Sequence, residues 1–123
     1  MERPVISFQK YEILNIDYKK VNEQAIEKAD ISTEVSVGIS EGLEAGKVEI
    51  DVSSSDPINN RIIKVKVRGL FIINDKSDIE KIKLFLAQNG TAMLYPYVRG
   101  IVSMVSALDS ETSILLPTIN TTK

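Results

Sequence analysis

Apolar and polar residues alternate in three stretches of the chain, residues 34–40, 47–53 and 63–68. Successive side chains of a strand point to opposite faces of a sheet, so an alternation of period two predicts strands that are buried on one face. Residues 5–18 are rich in β-branched and aromatic side chains and predict one more strand, long or broken, at the start of the chain. The pattern therefore predicts four strands between residues 5 and 73.

The last two alternating stretches predict a β-hairpin, because a single register matches both their charges and their apolar residues. That register pairs Asp51 with Lys64, Glu49 with Lys66, Ile50 with Val65, Val48 with Val67 and Val52 with Ile63. Gly69 interrupts the alternation, which predicts a bulge or a local twist at that point.

A helix is predicted after the last strand. Ser77 or Asp78 can cap its first turn, and the pair Asn89-Gly90 marks its end. Upstream of the strands that alternate, residues 19–30 fit either a short helix or a connecting loop, and their pattern does not decide between the two.

A second helix is expected to begin near Tyr95, because Pro96 suits a first helical turn and is disfavoured further inside. Its apolar face is wider than a surface helix requires. Gly100, Ser103 and Ala107 form a stripe of small residues that favours close contact with another helix in an oligomer, the alternative being a stripe that faces solvent. We expect one α+β domain over residues 1–123, with a four-stranded antiparallel sheet packed against two C-terminal helices.

Composition excludes several kinds of chemistry. The 123 residues include no cysteine and no histidine, which removes disulfides, thiolate and imidazole metal ligands and the commonest acid–base group. No spacing of acids suggests a metal or paired-carboxylate site, so we expect no cofactor and no enzyme activity.

The N-terminal half is acidic and the C-terminal half basic, which favours packing of the halves on each other over a nucleic-acid surface. No signal segment is recognisable, and Pro96 and Arg99 interrupt the most apolar run, so we expect a cytoplasmic protein without membrane insertion.

Residues 93–105 (MLYPYVRGIVSMV) and 115–120 (LLPTIN) resemble the C-terminal signature of the SecB family of protein-export chaperones. That signature is an aromatic-Pro-Tyr-x-Arg opening to a long helix, followed by a short apolar-Pro-x-x-Asn segment. Phe8-Gln9 and residues 34–39 resemble the first two strands of the family. The resemblance is specific near the C-terminus and architectural over the rest of the chain.

The resemblance implies a chaperone that holds unfolded polypeptide clients in long apolar grooves and assembles into a homo-oligomer, either a dimer or a dimer of dimers. It places Val35, Val37, Ile39, Tyr95 and Tyr97 in the client-binding groove. It assigns Arg99 a structural role.

The chain also departs from the family. The second long helix of SecB has no counterpart after Asn120, and Lys19 and Lys20 stand where members that serve the motor tend to be acidic. Delivery to the secretion motor SecA is therefore not favoured. Shortened relatives serve other clients, including antitoxins.

Three functional hypotheses remain open at this stage. The favoured one is a chaperone of non-native polypeptides, with protein export as one destination. A dedicated adaptor, or an antitoxin-type chaperone with one partner, is the alternative. An enzyme that binds a small molecule between sheet and helix is the third, and no spacing supports it. In the simplest alternative to a groove, Val35, Val37 and Ile39 are one face of an ordinary strand that the chain's own helices cover.

Overall fold

The computed structural model describes residues 4–109 and 114–118. Its strands are β1 (Ile6–Lys20), β2 (Asp30–Ile39), β3 (Ala45–Asp56) and β4 (Arg61–Ile73). They form one antiparallel sheet in the order β1-β4-β3-β2, so β3 and β4 are central and β1 and β2 are the edges. Residues 19–30 are the end of β1, a loop and the start of β2 rather than a helix. The expected α+β class and four-stranded sheet are confirmed.

The hairpin of β3 and β4 has a register two residues away from the predicted one. Asp51 pairs with Lys66 and not with Lys64. The strands extend further than expected, to a pair formed by Asp56 and Arg61 that closes a four-residue turn. A shift of two keeps each side chain on its face, so the predicted faces are correct although the predicted partners are wrong.

The irregularities of the sheet lie in β1 and not at Gly69. Gln9 and Leu14 fall at the two register shifts between β1 and β4 and have no partner there. Gly69 is paired regularly on both sides. A Cβ atom at Gly69 would lie 3.2 Å from Cδ1 of Leu94, so this glycine makes room for the helix instead of forming a bulge.

A continuous helical run of 28 residues follows the sheet. It consists of α1 (Ile79–Phe85), a π-helical turn (Leu86–Gly90) and α2 (Thr91–Ser106). Asp78 caps the start, because its carboxylate accepts hydrogen bonds from the backbone N–H groups of Glu80 and Lys81. The predicted cap is confirmed.

The predicted division into two helices at Asn89-Gly90 is wrong. Gly90 has helical backbone angles, φ −62° and ψ −44°. A Cβ atom at Gly90 would lie 2.9 Å from Cγ2 of Val48, so the glycine permits close approach of helix and sheet and does not end the helix. Pro96 lies inside α2 rather than in a first turn. It is exposed, as is Ala92, whose carbonyl the missing N–H leaves without its helical donor.

The hydrophobic core lies between the central strands and the helix. Gly46 faces Leu86 and Gly90 faces Val48, which lets the π-helical turn sit directly on β3. The side chains with almost no exposure are Val48, Ile50, Val52, Ile63, Val65, Val67, Phe71, Ile82, Leu86, Leu94, Val98, Val102 and Leu116.

Candidate functional site

One helix covers the two central strands and leaves both edge strands open. Four strands spaced about 4.8 Å apart place the outer strand axes about 14 Å apart, whereas a helix with its side chains is only about 10 Å wide. Ile50 on β3 and Val65 on β4 are 0% exposed beneath the helix. On the same face, six apolar side chains of the edge strands are 37% to 48% exposed: Tyr11, Ile13, Ile16, Ile31, Val35 and Val37.

The first open surface is the β1 flank, which we define as Tyr11, Ile13 and Ile16 of β1 together with Tyr97 of α2. The three strand residues pair with Gly69, Val67 and Val65, which face the helix. The rings of Tyr11 and Tyr97 stack with centroids 4.5 Å apart, and the rings of Phe8 and Tyr97 stack with centroids 5.7 Å apart. An aromatic cluster thus closes one end of an aliphatic surface.

The second open surface is the β2 flank, which we define as Ile31, Val35 and Val37. These residues pair with Ser54, Ile50 and Val48, and so lie on the helix side of the sheet. Ile39, the next apolar residue of the alternation, is partly buried and packs against the core. The predicted alternation of β2 is therefore real, and the covering helix reaches only its last apolar residue.

A short segment, residues 114–118, lies along the helix; we call it the strap. The N–H of Ile114 donates to Oγ of Ser106 (2.6 Å), Nε of Arg99 donates to the carbonyl of Leu116 (3.1 Å), and the hydroxyl of Tyr95 donates to the carbonyl of Pro117 (2.8 Å). Burial raises the pKa of Tyr95, which keeps its hydroxyl protonated as a donor.

The strap and the β1 flank lie on opposite sides of the helix. At 3.6 residues per turn, Tyr95, Arg99 and Ser106 are about 160° to 180° around the helix from Tyr97. Because Tyr97 stacks on β1, the strap lies on the side of the helix that faces β2. Ile114 and Ile31 accordingly line the same cleft.

The outer helix face, which we define as Met93, Gly100, Met104 and Leu108, adjoins the β1 flank, because its residues are about 20° to 60° around the helix from Tyr97. Its apolar side chains are exposed, and a Cβ atom at Gly100 would meet nothing within 4 Å. Ala107 is exposed on the same side of the helix, and Ser103 is partly buried next to it. The predicted small-residue stripe thus lies on or beside an open apolar surface.

Charged groups gather at the C-terminal end of the helix. Arg61 is fully buried, and its guanidinium lies 2.9 Å from Asp56 and 3.4 Å from Asp109. Arg61 also donates to the carbonyl of Ser106. The hydroxyl of Tyr18 donates to Asp109 at 2.6 Å, and that bond holds the pKa of the carboxyl below its usual range. The cluster fastens the end of α2 to β1 and to the β3–β4 turn.

Within the described ranges, no group of three His, Cys, Asp or Glu side chains could hold a metal ion. In that same part of the chain, no helix is both long and apolar enough to cross a membrane. What the described surface presents is apolar area beside exposed strand edges.

The five residues of the predicted groove occupy three places. Val35 and Val37 lie on the β2 flank, Ile39 is at its covered end, and Tyr97 belongs to the β1 flank on the far side of the helix. Tyr95 is 5% exposed and holds the strap. Their role in client binding remains a prediction.

Sequence reasoning missed the three strand residues of the β1 flank, Tyr11, Ile13 and Ile16. The two unpaired residues of β1 change the spacing of its helix-facing side chains, so that Phe8, Tyr11, Ile13, Ile16 and Tyr18 follow at intervals of three, two, three and two. A search for strict alternation does not detect that pattern. A search that allows one bulge for every five residues would have found it.

Three comparisons with known proteins bear on the chain. No family model matches it. It is 34% identical over 58 residues to the uncharacterized protein MJ0357 of Methanocaldococcus jannaschii, a match that spans 47% of this chain and 37% of that protein. The chain therefore covers little more than a third of the relative's length.

Solved structures match over nearly the whole chain. The SecB-like chaperone Rv1957 of Mycobacterium tuberculosis, solved with a ChAD peptide from the antitoxin Rv1956 HigA1, superposes with a TM-score of 0.74 at 16% identity. The match covers 94% of this chain and 91% of that one. A protein of unknown function from Streptococcus agalactiae reaches a TM-score of 0.50 at 15% identity, over 92% of this chain and 97% of that one. The chain has the fold of a SecB-like chaperone.

Proposed function

We propose that this chain is a chaperone that holds extended, non-native polypeptide on the β1 and β2 flanks. One observation carries the proposal: both edge strands present apolar side chains on the helix side of the sheet, and the single helix is too narrow to cover them. An ordinary α+β domain would bury this face. A protein that leaves it open on both sides of the helix has a surface for apolar partners.

Polypeptide is the ligand that suits these surfaces best. Each flank is an elongated apolar strip that can bind many sequences through buried area, worth about 25 cal/mol per Å² before the costs of association. Each flank also borders the outer edge of a sheet, where an extended peptide can add backbone hydrogen bonds. The peptide bound to Rv1957, a protein of the same fold, supports this class of ligand.

The proposed client-binding residues are Val35 and Val37, with Ile39 at the end of their row, and Tyr97 with Tyr11, Ile13 and Ile16 on the other flank. Tyr95 would contribute indirectly by holding the strap. An adaptor or antitoxin-type chaperone with one partner is the second candidate, and the antitoxin peptide bound to Rv1957 favours it. Transfer of clients to a secretion apparatus would be a separate step that neither candidate requires.

We further propose that the chain forms a homo-oligomer, a dimer or a dimer of dimers, through the outer helix face. Gly100 and Ala107, with Ser103 beside them, would let a second helix approach closely, and Met93, Met104 and Leu108 would be buried by it. The β1 flank adjoins this face at Tyr97, and the β2 flank lies on the opposite side of the helix. Such an oligomer could therefore hold client on several flanks at once and gain affinity through multivalency.

The test compares charge insertions on the two faces of the sheet. Ile16→Glu and Val37→Glu place a carboxylate on the β1 and β2 flanks. Asn15→Glu and Ser32→Glu place the same charge on the opposite face, where Asn15 pairs with Lys66 and Ser32 with Ser53. The readout is light scattering during the aggregation of two unrelated unfolded proteins with each variant at a stoichiometric concentration.

We expect the wild-type protein and the two opposite-face variants to suppress aggregation of both substrates, and the flank variants to lose most of that protection. A wild-type protein that protects neither substrate would exclude the chaperone and leave the adaptor. Equal protection by all four variants would show that client binds elsewhere. Circular dichroism distinguishes lost binding from lost folding.

A further inference from the structure

The strap has the form of an extended bound peptide. Residues 114–118 have no helical or strand structure. Leu115 is 71% exposed and Leu116 is 0% exposed, so successive side chains point to solvent and into the core. An extended client segment on an apolar surface would alternate in the same way.

The helix holds the strap through its backbone. The bonds from Arg99 and Tyr95 end on main-chain carbonyls, and Ser106 accepts from a main-chain N–H. Any residue of another peptide could provide the two carbonyls, and any residue except proline could provide the N–H. The side-chain requirement falls on Leu116, which enters the core, and on Ile114, which is partly buried and packs against it. The helix flank thus binds an extended backbone with one buried apolar side chain and a second, partly buried one.

The strap differs from the strands and the helix in its hydrogen bonds. Among the described residues it makes no main-chain to main-chain hydrogen bond, in contrast to the strands and the helix. It begins beside the β2 flank, since Ile114 and Ile31 line one cleft. Its removal would extend the open surface of the β2 flank to the side of the helix.

We propose that the helix flank formed by Tyr95, Arg99 and Ser106 is a polypeptide-binding site that the chain's own strap occupies, and that a client segment displaces the strap. The ligand is an extended stretch with an apolar residue at the position of Leu116 and no charge there. This inference rests on the proposed function and adds a regulatory step to it. Because the strap competes with the client, only molecules with a displaced strap can bind client at this site. The apparent affinity for client is the intrinsic affinity multiplied by the fraction of molecules in that open state.

The test fixes the strap in place. The chain contains no cysteine, so two introduced cysteines are the only thiols. Ala92 and Thr118 are exposed and line the same cleft between helix and strap. The double variant Ala92→Cys/Thr118→Cys is joined with a short bismaleimide, and the uncoupled double variant is the matched control. The probe is a fluorescein-labelled peptide, Gly-Gly-Ile-Leu-Leu-Pro-Thr-Gly-Gly, followed by fluorescence anisotropy.

We expect cross-linking to weaken probe binding at least tenfold relative to the uncoupled variant. A second pair of variants weakens the strap instead of fixing it. Leu116→Ala removes the buried side chain that holds the strap and should tighten probe binding about fivefold or more. Leu115→Ala changes an exposed side chain and should leave probe binding unchanged. A probe with Asp in place of its second leucine should not bind any variant.

The outcomes separate the two proposals. If the cross-linked and uncoupled proteins bind the probe equally, the strap is not a competitor, and the inference fails while the chaperone function stands. The same conclusion follows if no variant binds the probe but the protein still suppresses aggregation. If neither probe binding nor suppression occurs in any variant, both proposals fail. The cross-linking comparison decides even if Leu116→Ala does not fold.

Discussion

Two glycines of the same helix have opposite surroundings. Gly90 packs on β3, where a Cβ atom would lie 2.9 Å from Val48 and 3.3 Å from Cζ of Phe71, both of which belong to the core. Gly100 is on the outer helix face with no atom within 4 Å of a Cβ atom. Mutation of either glycine to alanine raises its helix propensity. A difference in stability between the two alanine variants therefore reports the difference in packing around the two sites.

We expect Gly90→Ala to destabilise the protein by about 1 to 3 kcal/mol, because overpacking at the helix–sheet contact exceeds the gain in propensity. Gly100→Ala should stabilise the monomer by about 0.5 to 1 kcal/mol, because alanine restricts the unfolded chain and its Cβ meets no atom of the same chain. Denaturant unfolding in dilute solution measures both. A stabilised Gly90→Ala variant would mean that the helix sits further from β3 than described.

At the scale of elements, alternation predicted the strands and their faces but could not fix their partners. A shift of two residues preserves every face, so Asp51 opposite Lys64 and Asp51 opposite Lys66 are equally consistent with the pattern. The register depends on the length of the turn, and here the pairing of Asp56 with Arg61 makes the turn shorter than its polar composition indicated.

The helix end predicted at Asn89-Gly90 is wrong for a different reason. Asn89-Gly90 is a common C-terminal signal because glycine adopts left-handed backbone angles easily, but the Gly90 position is helical and is selected by contact with Val48. Only the tertiary structure distinguishes a glycine that ends a helix from one that lets it approach a sheet. The strand residues of the β1 flank were missed for another reason, because two bulges break the strict alternation of β1.

The bulge at Leu14 yields a prediction about deletions in β1. Ile13 pairs with Val67, and Asn15 pairs with the adjacent residue of β4, Lys66. Removal of Leu14 therefore leaves a regular ladder in which all the remaining side chains keep their faces. We expect the Leu14 deletion to cost about 1 kcal/mol or less, in the range of ordinary surface changes.

Deletion of Asp17, in the regular part of β1, is the matched control. Either the following residues slip, which turns Tyr18 away from Asp109, or the bulge absorbs the change, which turns Ile16 to the opposite face. We expect a loss of stability several times that of the Leu14 deletion, measured by thermal unfolding. Equal losses would contradict the assigned register of β1.

For the whole molecule, the central question is which open surface meets another copy and which meets client. The outer helix face and the two flanks are all apolar; the outer helix face adjoins the β1 flank at Tyr97, and the β2 flank lies on the opposite side of the helix. The outer helix face contains Gly100, with open space around it, and long flexible side chains at Met104 and Leu108 that are 62% and 77% exposed. These features suit a helix–helix contact better than an extended peptide, which the strand-lined flanks can hold along their edges.

A single charge on the outer helix face should therefore separate assembly from binding. We expect Met104→Glu to convert the oligomer to monomers, because a carboxylate at the centre of an apolar helix contact cannot be buried without a partner. Asn22→Glu, on an exposed loop, is the control. Light scattering coupled to size exclusion gives the mass of each variant.

If the monomeric Met104→Glu protein still binds unfolded protein, with the weaker affinity that lost multivalency predicts, then each chain carries complete flanks. A monomer that binds nothing would instead place the client between two copies, and an oligomer that survives the substitution would assign assembly to a strand edge.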